Sequence, residues 1–286
     1  MKWMVTGSNG MLAQDVLARL ADREAEIVAF DRKEMDITDP VAVRKFVTDV
    51  DVVVNLAAYT AVDAAEENEP AAFTVNATGP EVLARRCREI GATLVHISTD
   101  YVFGGEATEP YGENDLMEPR SAYGRTKAAG EWAVRANADK YYILRTAWLY
   151  GAGGKCFPKT MASLSRTHDR LSVVTDEFGQ PTWTDDVARL ILEVVDKHVP
   201  YGTYHATSTG KTNWWEFTRE IVRTLGKDPE MVGETTAAAF DRPAPRPHFS
   251  VLDHGALEAV GIEPIGDWRE RWQVAAPSVL ADFLEK

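Results

Sequence analysis

A tyrosine and a lysine lie four residues apart in SAYGRTKAAGE, residues 121–131. Because residues i and i+4 share one face of a helix, the Tyr123 phenol and the Lys127 ammonium would lie side by side there. A phenol has a pKa near 10 and exchanges protons poorly at neutral pH, whereas a neighbouring ammonium favours its ionised form. Such a pair can transfer a proton to or from a substrate oxygen. The same spacing also arises by chance, so the rest of the chain must decide its meaning.

A glycine pattern close to the N-terminus could bind a phosphate group. The stretch VTGSNGMLA, residues 5–13, follows the apolar run KWMVT and opens a helical pattern. Gly7 permits a tight turn, and Gly10 lets a pyrophosphate approach the backbone N–H groups at the helix N-terminus. Ala13 replaces the third glycine of the usual dinucleotide pattern. A plain strand–helix turn could use the same residues, but their position between a strand and a helix favours dinucleotide binding.

The end of the second predicted strand bears on the choice of cofactor. It reads AFDRKEMDITD, in which Asp31 could bind the ribose hydroxyls of NAD and Arg32 could bind the 2′-phosphate of NADP. Because both groups are present, the choice stays open, and both residues could instead be solvated turn residues. Asp36 would hold a loop near the adenine or form a turn.

Small and polar residues follow the third and fourth predicted strands. Ala57 and Ala58 would leave room for a nicotinamide against the backbone, and Ser98, Thr99 and Asp100 end the fourth strand. Ligands of open parallel sheets bind at the carboxyl ends of the strands. We therefore expect these residues to share one crevice with the tyrosine–lysine pair.

The elements that position these residues alternate along the first half of the chain. Buried strands are predicted at 2–6, 26–30, 51–58, 92–98 and 141–146, and helices at 11–21, 39–49, 71–91 and 121–136. This alternation predicts an α/β fold with a doubly wound parallel (Rossmann) sheet and helices on both faces.

After residue 150 the rhythm changes, which predicts a smaller C-terminal α+β lobe. Helices are predicted at 157–167, 184–199 and 212–226 and strands at 171–174 and 202–207, while three prolines in DRPAPRPHF, residues 241–249, predict an extended loop. We assign residues 1–150 and a returning segment near 175–200 to the dinucleotide-binding domain, and 151–174 and 201–286 to a substrate lobe. The substrate pocket is expected between them.

The bulk composition fits a globular enzyme and argues against several partners. Of 286 residues, 45% are hydrophobic and 26% charged, and the formal net charge is −13. So acidic a chain is unsuited to a nucleic-acid backbone, and no apolar run reaches membrane-spanning length. Cys87 and Cys156 match no metal spacing and are expected to be buried thiols of a reducing compartment. Because the first residues already form a strand, we expect no signal peptide and a cytoplasmic location.

Taken in order, these motifs resemble the extended short-chain dehydrogenase/reductase family. The resemblance rests on the glycine loop, NLAA at 55–58, STDYVFGG at 98–105 and YGRTK at 123–127. It implies reduction of a carbonyl group, with a hydride added to carbon and a proton to oxygen. Tyr123 would then donate the proton, Lys127 would tune it and bind the nicotinamide ribose, and Thr99 would hydrogen-bond the carbonyl oxygen.

Longer stretches are similar to the dTDP-4-dehydrorhamnose reductases within that family. They lie at 57–66, 98–105, 123–131, 144–151, 176–188 and 242–253. The resemblance implies NADPH as the cofactor, with NADH as the alternative, and reduction of the C4 ketone of dTDP-4-dehydro-L-rhamnose. The residues then expected to bind the cofactor are Gly7, Asn9, Gly10, Met11, Leu12, Asp31, Arg32, Asp36, Ile37, Ala57, Ala58, Tyr59, Thr60, Ile97, Tyr123 and Lys127. Those expected to bind the dTDP-sugar are Val62, Asp63, Thr99, Asp100, Tyr101, Trp148 and Arg246.

Two of the substrate residues have alternative interpretations. Trp148, which the resemblance places against the sugar, could be a core aromatic residue. Arg246 is the candidate for the diphosphate because an anionic ligand on an acidic protein needs a local cation, but it could be an exposed loop arginine.

The triplet Thr99-Asp100-Tyr101 separates related chemistries. Nucleotide-sugar 4,6-dehydratases resemble this chain but have glutamate where it has Tyr101, so elimination would lack its base here. Three alternatives remain: a reductase of another dTDP-4-keto-6-deoxysugar, such as the branch making dihydrostreptose, a 4-epimerase with tightly held NAD, and a non-catalytic regulatory subunit. Retention of Thr99, Tyr123 and Lys127 argues against the last.

The sequence says less about metal binding and the oligomeric state than about the cofactor and the substrate. Some members of the family dimerise through Mg²⁺ held by acidic residues, and Asp15 and Asp185 occupy two matching positions where glutamate is usual. Their shorter side chains predict that this metal site is absent. The chain is expected to be a monomer or a homodimer.

Overall fold

The structure, a computed structural model, describes residues 1–284. Its strands are β1 (Lys2–Thr6), β2 (Glu26–Phe30), β3 (Val52–Asn55), β4 (Thr93–Thr99), β5 (Tyr141–Thr146), β6 (Leu149–Tyr150), β7 (Leu171–Val174), β8 (Phe178–Gly179), β9 (Thr182–Trp183), β10 (Gly202–His205), β11 (Thr212–Asn213) and β12 (Val232–Thr235). Its α-helices are α1 (Met11–Ala21), α2 (Pro40–Phe46), α3 (Val62–Glu67), α4 (Glu69–Phe73), α5 (Gly79–Ile90), α6 (Ala122–Asn137), α7 (Phe157–Thr167), α8 (Thr184–Asp196), α9 (Trp214–Thr224), α10 (Gly255–Ala259) and α11 (Trp268–Val279).

A sheet of six parallel strands forms the centre of the molecule, in the order β10-β5-β4-β3-β1-β2. Its strands are apolar on both sides because helices cover both faces. Val5 and Val54 pack with α1 and α8 on one face, while Met4 and Val53 pack with α2, α5 and α6 on the other. The predicted doubly wound Rossmann fold is confirmed.

The helix predicted at 71–91 is interrupted. A π-helical turn occupies Thr74–Thr78 between α4 and α5. Pro80 has no N–H group to donate to the carbonyl of Asn76 four residues earlier, so the regular helical hydrogen bond cannot form there. The widened turn aims the Asn76 side chain at the loop after β3, where its amide accepts from the N–H of Tyr59 at 2.8 Å and donates to the carbonyl of Tyr59 at 3.0 Å.

The C-terminal half differs from the prediction in the place of β10, and it also contains elements that were not predicted, namely β8, β9, β11, β12, α10 and α11. Residues 202–205 were assigned to the substrate lobe, but β10 pairs in parallel with β5 and extends the central sheet. Its side chains Tyr204 and His205 are buried, and a buried strand satisfies its backbone groups only by pairing. The remaining lobe has its own core, which contains Tyr150, Phe217 and Trp272.

The predicted extended loop at 241–249 forms neither a helix nor a regular strand. It is tied to both halves of the molecule. The N–H of Phe249 donates to the carbonyl of Gly105 at 2.9 Å, and the N–H of Ala244 donates to the Asp63 carboxylate at 3.3 Å. The loop therefore crosses from the lobe to the carboxyl end of the central sheet.

Candidate active site

A cavity of about 1020 Å³ lies at the carboxyl ends of the central strands. The strand order reverses between β1 and β3, which is where open parallel sheets bind ligands. The expected site residues that line it are Gly10, Met11, Leu12, Ala57, Ala58, Thr60, Val62, Ile97, Thr99, Asp100, Tyr101, Tyr123, Lys127, Trp148 and Arg246. The structure thus brings residues from four strand ends and the C-terminal loop to one space.

The glycine loop has the backbone geometry that a bound pyrophosphate needs. Gly7 has φ +68°, and a Cβ there would lie 2.8 Å from the backbone nitrogen of Ala57. Only glycine fits both constraints. The loop closes with a hydrogen bond from the N–H of Gly10 to the carbonyl of Gly7 at 2.9 Å, and Gly10 is the N-cap of α1. The N–H groups at the start of α1 are left for an anion.

The residues expected around the adenosine lie beside the cavity rather than on its wall. Asp31 accepts from the backbone of Lys33 at 2.7 Å and from Asn9 at 2.9 Å, so its carboxylate already holds a turn. Arg32 is exposed. Asp36 likewise forms a turn, accepting from the backbone and side chain of Thr38 at 2.9 and 2.8 Å.

Ile37 is a core residue in this structure. It is buried, and a Cβ placed on Gly79 would lie 2.5 Å from its Cδ1 atom. The tight contact fixes the segment after β2 against α5. Ile37 therefore contributes at most its backbone to a ligand site.

The proposed proton donor is positioned by a helix cap and a close approach. The Ser121 hydroxyl accepts from the N–H of Gly124 at 3.1 Å, so α6 begins at 122 and places Tyr123 in its first turn. A Cβ on Gly124 would lie 2.3 Å from the carbonyl oxygen of Tyr101, so only glycine lets the helix come so near. The rings of Tyr101 and Tyr123 meet edge to face, 5.5 Å apart.

Burial shifts the pKa values of the tyrosine–lysine pair. Burial raises the pKa of Tyr123 to about 12, and the Thr99 hydroxyl beside it works in the opposite direction. Lys127 donates to the backbone carbonyl of Ile97 at 2.6 Å, and burial lowers the pKa of its ammonium to about 8. The Lys127 ammonium is therefore directed at β4, and desolvation is the largest influence on the pKa values of both side chains.

A buried acid lies next to the tyrosine. The Thr99 hydroxyl donates to Asp100 at 2.8 Å, and Asp100 is 2% exposed. Burial raises the pKa of this carboxyl to about 6. Its negative charge in turn raises the pKa of Tyr123, which favours the protonated phenol.

Part of the cavity wall is aromatic. The rings of Trp148 and Trp214 stack, and the Trp214 indole donates to the buried Glu177 at 3.1 Å. Trp148 has the unusual backbone angle φ +45°. A Cβ on Gly179 would lie 2.5 Å from its ring, so the indole is held closely from behind. Trp148 thus lines the cavity instead of filling a core.

Two arginines of the extended loop are paired with acids at the cavity wall. Arg246 donates to Asp63 at 2.7 Å, and Arg242 donates to Glu177 at 2.8 Å. The Arg246 guanidinium holds the pKa of the Asp63 carboxyl below its usual range. An anionic ligand would find two cations here, each already neutralised by a carboxylate.

Several residues of the site have no signal in the sequence. Lys155, Glu177, Trp214 and Arg242 line the cavity, and Asn76 fixes the Tyr59 backbone from outside it. All come from elements of the second half or from the π-helical turn. Their types are ordinary for helices and loops, so only the tertiary contacts identify them.

The remaining expectations concern thiols, metals and membranes. Cys87 and Cys156 are buried free thiols, as predicted. Asp185 is paired with Arg19 at 2.6 Å, and within residues 1–284 no group of three His, Cys, Asp or Glu residues could hold a metal ion. Nor does this part of the chain contain a helix long and apolar enough to cross a membrane.

Comparison with known proteins identifies the family. The family model described as RmlD substrate binding domain matches residues 1–280. A probable dTDP-4,6-dihydroxy-2-methyloxan-3-one 4-ketoreductase of Streptomyces antibioticus is 45% identical, over 98% of this chain and 96% of its own length. A dTDP-4-dehydrorhamnose reductase of Streptomyces griseus is also 45% identical, over 97% of this chain and 94% of its own.

A solved structure agrees with this assignment. The dTDP-4-dehydrorhamnose reductase of Bacillus anthracis, crystallised in complex with NADP, has a TM-score of 0.93 and 35% identity, covering 96% of this chain and 98% of that one. The predicted resemblance is therefore confirmed along nearly the whole chain. This protein belongs to the family of the RmlD substrate binding domain, together with the dTDP-4-dehydrorhamnose reductases.

Proposed function

We propose that this protein is an NADPH-dependent reductase that converts the C4 ketone of dTDP-4-dehydro-L-rhamnose to the alcohol of dTDP-L-rhamnose. The observation that carries the proposal is that Tyr123, Lys127 and Thr99 line the same cavity as the glycine loop. Ketone reduction needs a protonated donor, and a phenol whose pKa is raised to about 12 remains protonated at neutral pH.

The glycine loop has the tight turn that a dinucleotide site needs. Gly7 is required for this turn because a side chain there would collide with the Ala57 backbone. The backbone N–H groups at the start of α1 would hold the pyrophosphate. Asp31 is engaged in a turn, and Arg32 beside it is exposed. Arg32 would therefore meet a 2′-phosphate, which favours NADPH over NADH. When bound, a nicotinamide supplies the hydride that the carbonyl carbon receives.

The residues of the chain would perform the remaining steps. Thr99 would hydrogen-bond the carbonyl oxygen as negative charge develops there, and Tyr123 would donate its proton to that oxygen. Lys127, held by the carbonyl of Ile97, would orient the nicotinamide ribose. Trp148 would pack against the sugar, and Arg246 would exchange part of its contact with Asp63 for the diphosphate.

We also propose that the two parts of the molecule bind different ligands, as expected from the sequence. The central sheet with the glycine loop would bind NADPH, and the lobe without β10 would bind the dTDP-sugar. The protein would act in the cytoplasm as a monomer or homodimer, without a metal ion.

A second candidate is the reduction of another dTDP-4-keto-6-deoxysugar. It is favoured by the equal identity, 45%, to the Streptomyces antibioticus ketoreductase and to the Streptomyces griseus dTDP-4-dehydrorhamnose reductase. Both reactions use the same donor, cofactor and nucleotide, so the wall around the sugar must decide between them.

A coupled assay tests both candidates. The protein is added with NADPH to dTDP-glucose and the two enzymes that convert it to dTDP-4-dehydro-L-rhamnose, and the sugar product is identified by NMR spectroscopy. Formation of dTDP-L-rhamnose supports the first candidate, and a different 6-deoxysugar supports the second. If no NADPH is consumed with any dTDP-4-keto-6-deoxysugar, both are wrong.

A further inference from the structure

Successive residues of β4 are tied to successive turns of α6. The Lys127 ammonium donates to the carbonyl of Ile97, and the Ser98 hydroxyl donates to Glu131, both at 2.6 Å. The tyrosine one turn before the lysine lies beside Thr99. Positions 123, 127 and 131 share one face of the helix. Glu131 is therefore the third member of a row whose first two members carry the proposed chemistry.

Glu131 is fully buried and held from two sides. Arg145 on β5 makes two hydrogen bonds to its carboxylate, both 2.8 Å long, and the half-exposed Arg135 makes a third at 2.8 Å. Glu131 is 0% exposed and Arg145 is 1% exposed. Burying an acid is costly, and replacing a buried ion pair by apolar residues is often neutral or stabilising. Fold stability alone gives little reason for this pair next to the active site.

The charge of Glu131 acts on Lys127. Burial lowers the pKa of the lysine, and the negative charge of Glu131 is the influence that opposes it. His96 on β4 also interacts with this ammonium, and burial and the lysine lower the pKa of His96 well below its usual value, so it is uncharged. Tyr123, one turn earlier on the same helix, is protonated because its pKa is raised to about 12. Arg145 on β5 meets the carboxylate of Glu131 rather than the lysine.

We propose that Glu131 is a positioning residue that keeps Lys127 charged and, through Ser98, holds the end of β4 in register with α6. It touches neither substrate nor cofactor, and its importance for catalysis rests on the proposed ketoreduction. The lysine must be an ammonium to bind the nicotinamide ribose hydroxyls as a donor, so Glu131 extends the pH range over which that contact exists.

The test is the titration of Lys127 followed by NMR spectroscopy on protein with ¹³C-labelled lysine, the signal being assigned by its loss in the Lys127→Met variant. We expect the midpoint to fall by about one pH unit in Glu131→Gln, which keeps the size and hydrogen bonding of the side chain. It should stay within about 0.2 unit in Glu131→Asp, which keeps the charge. The matched control is Glu193→Gln, which removes an acid of α8 that is paired with Arg189 on the same helix and with Lys197 just after it. This variant should leave the midpoint unchanged.

Glu131→Gln leaves Arg145 without its carboxylate and could prevent folding. Arg135→Gln then provides the test in the opposite direction, because it removes a half-exposed cation from the same carboxylate. The Lys127 midpoint should rise by about 0.2 to 0.5 pH unit. If the midpoint is unchanged in Glu131→Gln and in Arg135→Gln, or in whichever of these two variants folds, the proposal is overturned.

The pH dependence of turnover distinguishes the proposed role of Glu131 from the proposed ketoreductase function. The alkaline limb of kcat/KM should move to lower pH in Glu131→Gln in parallel with the NMR midpoint, and Glu131→Asp should restore it. A loss of activity with an unshifted limb would mean a merely structural role. If the wild-type protein reduces no dTDP-keto sugar, the proposed function fails, while the NMR titration still decides whether Glu131 controls the charge of Lys127.

Discussion

The indole of Trp148 lies on the indole of Trp214 with 3.5 Å between ring centroids and 8° between ring planes. The two residues are 66 positions apart in the chain and meet only because α9 packs beside the cavity. The stack fixes the ring that would face the sugar. Its partner is fixed in turn by the hydrogen bond to Glu177.

We expect Trp214→Phe to raise KM for the dTDP-sugar about three- to tenfold with a smaller change in kcat. An aromatic pair contributes about 0.5 to 1.5 kcal/mol beyond buried area, which is about two- to twelvefold in an equilibrium constant, and the expected change lies within that range. Steady-state kinetics measures the effect. The neighbouring Trp215 is the control, since its indole donates to the carbonyl of Val232 at 2.9 Å and does not line the cavity. Equal effects of Trp214→Phe and Trp215→Phe would contradict a role for the stack.

Tyr123→Phe should reduce kcat by about 10² to 10⁴-fold, because it removes the proton donor and leaves the ring in place. The ring still meets Tyr101 edge to face, so the dissociation constant of NADPH, measured by its fluorescence, should change less than about twofold. A variant that retained more than about a tenth of the wild-type kcat would exclude Tyr123 as the donor.

The buried Asp100 should cost the folded protein stability at neutral pH. Its pKa is raised from 3.8 to about 6 by burial, so the folded chain binds this proton more tightly than the unfolded chain does. The ionised form therefore destabilises the fold above pH 6 by about 3 kcal/mol, the cost declines as the pH falls through 6, and it is absent below about pH 4.

Asp100→Asn removes that cost, and we expect it to be more stable than the wild type at pH 8, with the difference shrinking at pH 4.5. Urea unfolding at the two pH values measures it, and taking the difference between the two proteins cancels the titration of all other groups. The account would be refuted if the stability that Asp100→Asn gains over the wild type were smaller at pH 8 than at pH 4.5.

Arg246 pairs with Asp63 across the boundary between the C-terminal loop and α3. If it also binds the diphosphate, Arg246→Gln should raise KM for the dTDP-sugar about tenfold or more while leaving the dissociation constant of NADPH unchanged. The control is Arg219→Gln, which removes a surface arginine paired with Glu230. Similar KM values for the two variants would assign Arg246 a purely structural contact.

The sequence by itself determined the features whose cause is local. The positive φ of Gly7 and the opening of α1 follow from a glycine between an apolar strand and a helix. Tyr123 and Lys127 share a face because helical periodicity brings every fourth residue together, and Ser121 caps that helix. Alternating strands and helices were sufficient for the doubly wound sheet.

Only the tertiary structure decided what depends on contacts between distant segments. It placed β10 in the central sheet, stacked Trp214 on Trp148, and paired Arg246 with Asp63, which are 183 residues apart. It also set the pKa values of Tyr123, Lys127 and Asp100, because desolvation depends on everything packed around a group rather than on its neighbours in sequence. Residue types and spacing therefore sufficed to indicate a reductase family, whereas the pKa values of these side chains depend on burial.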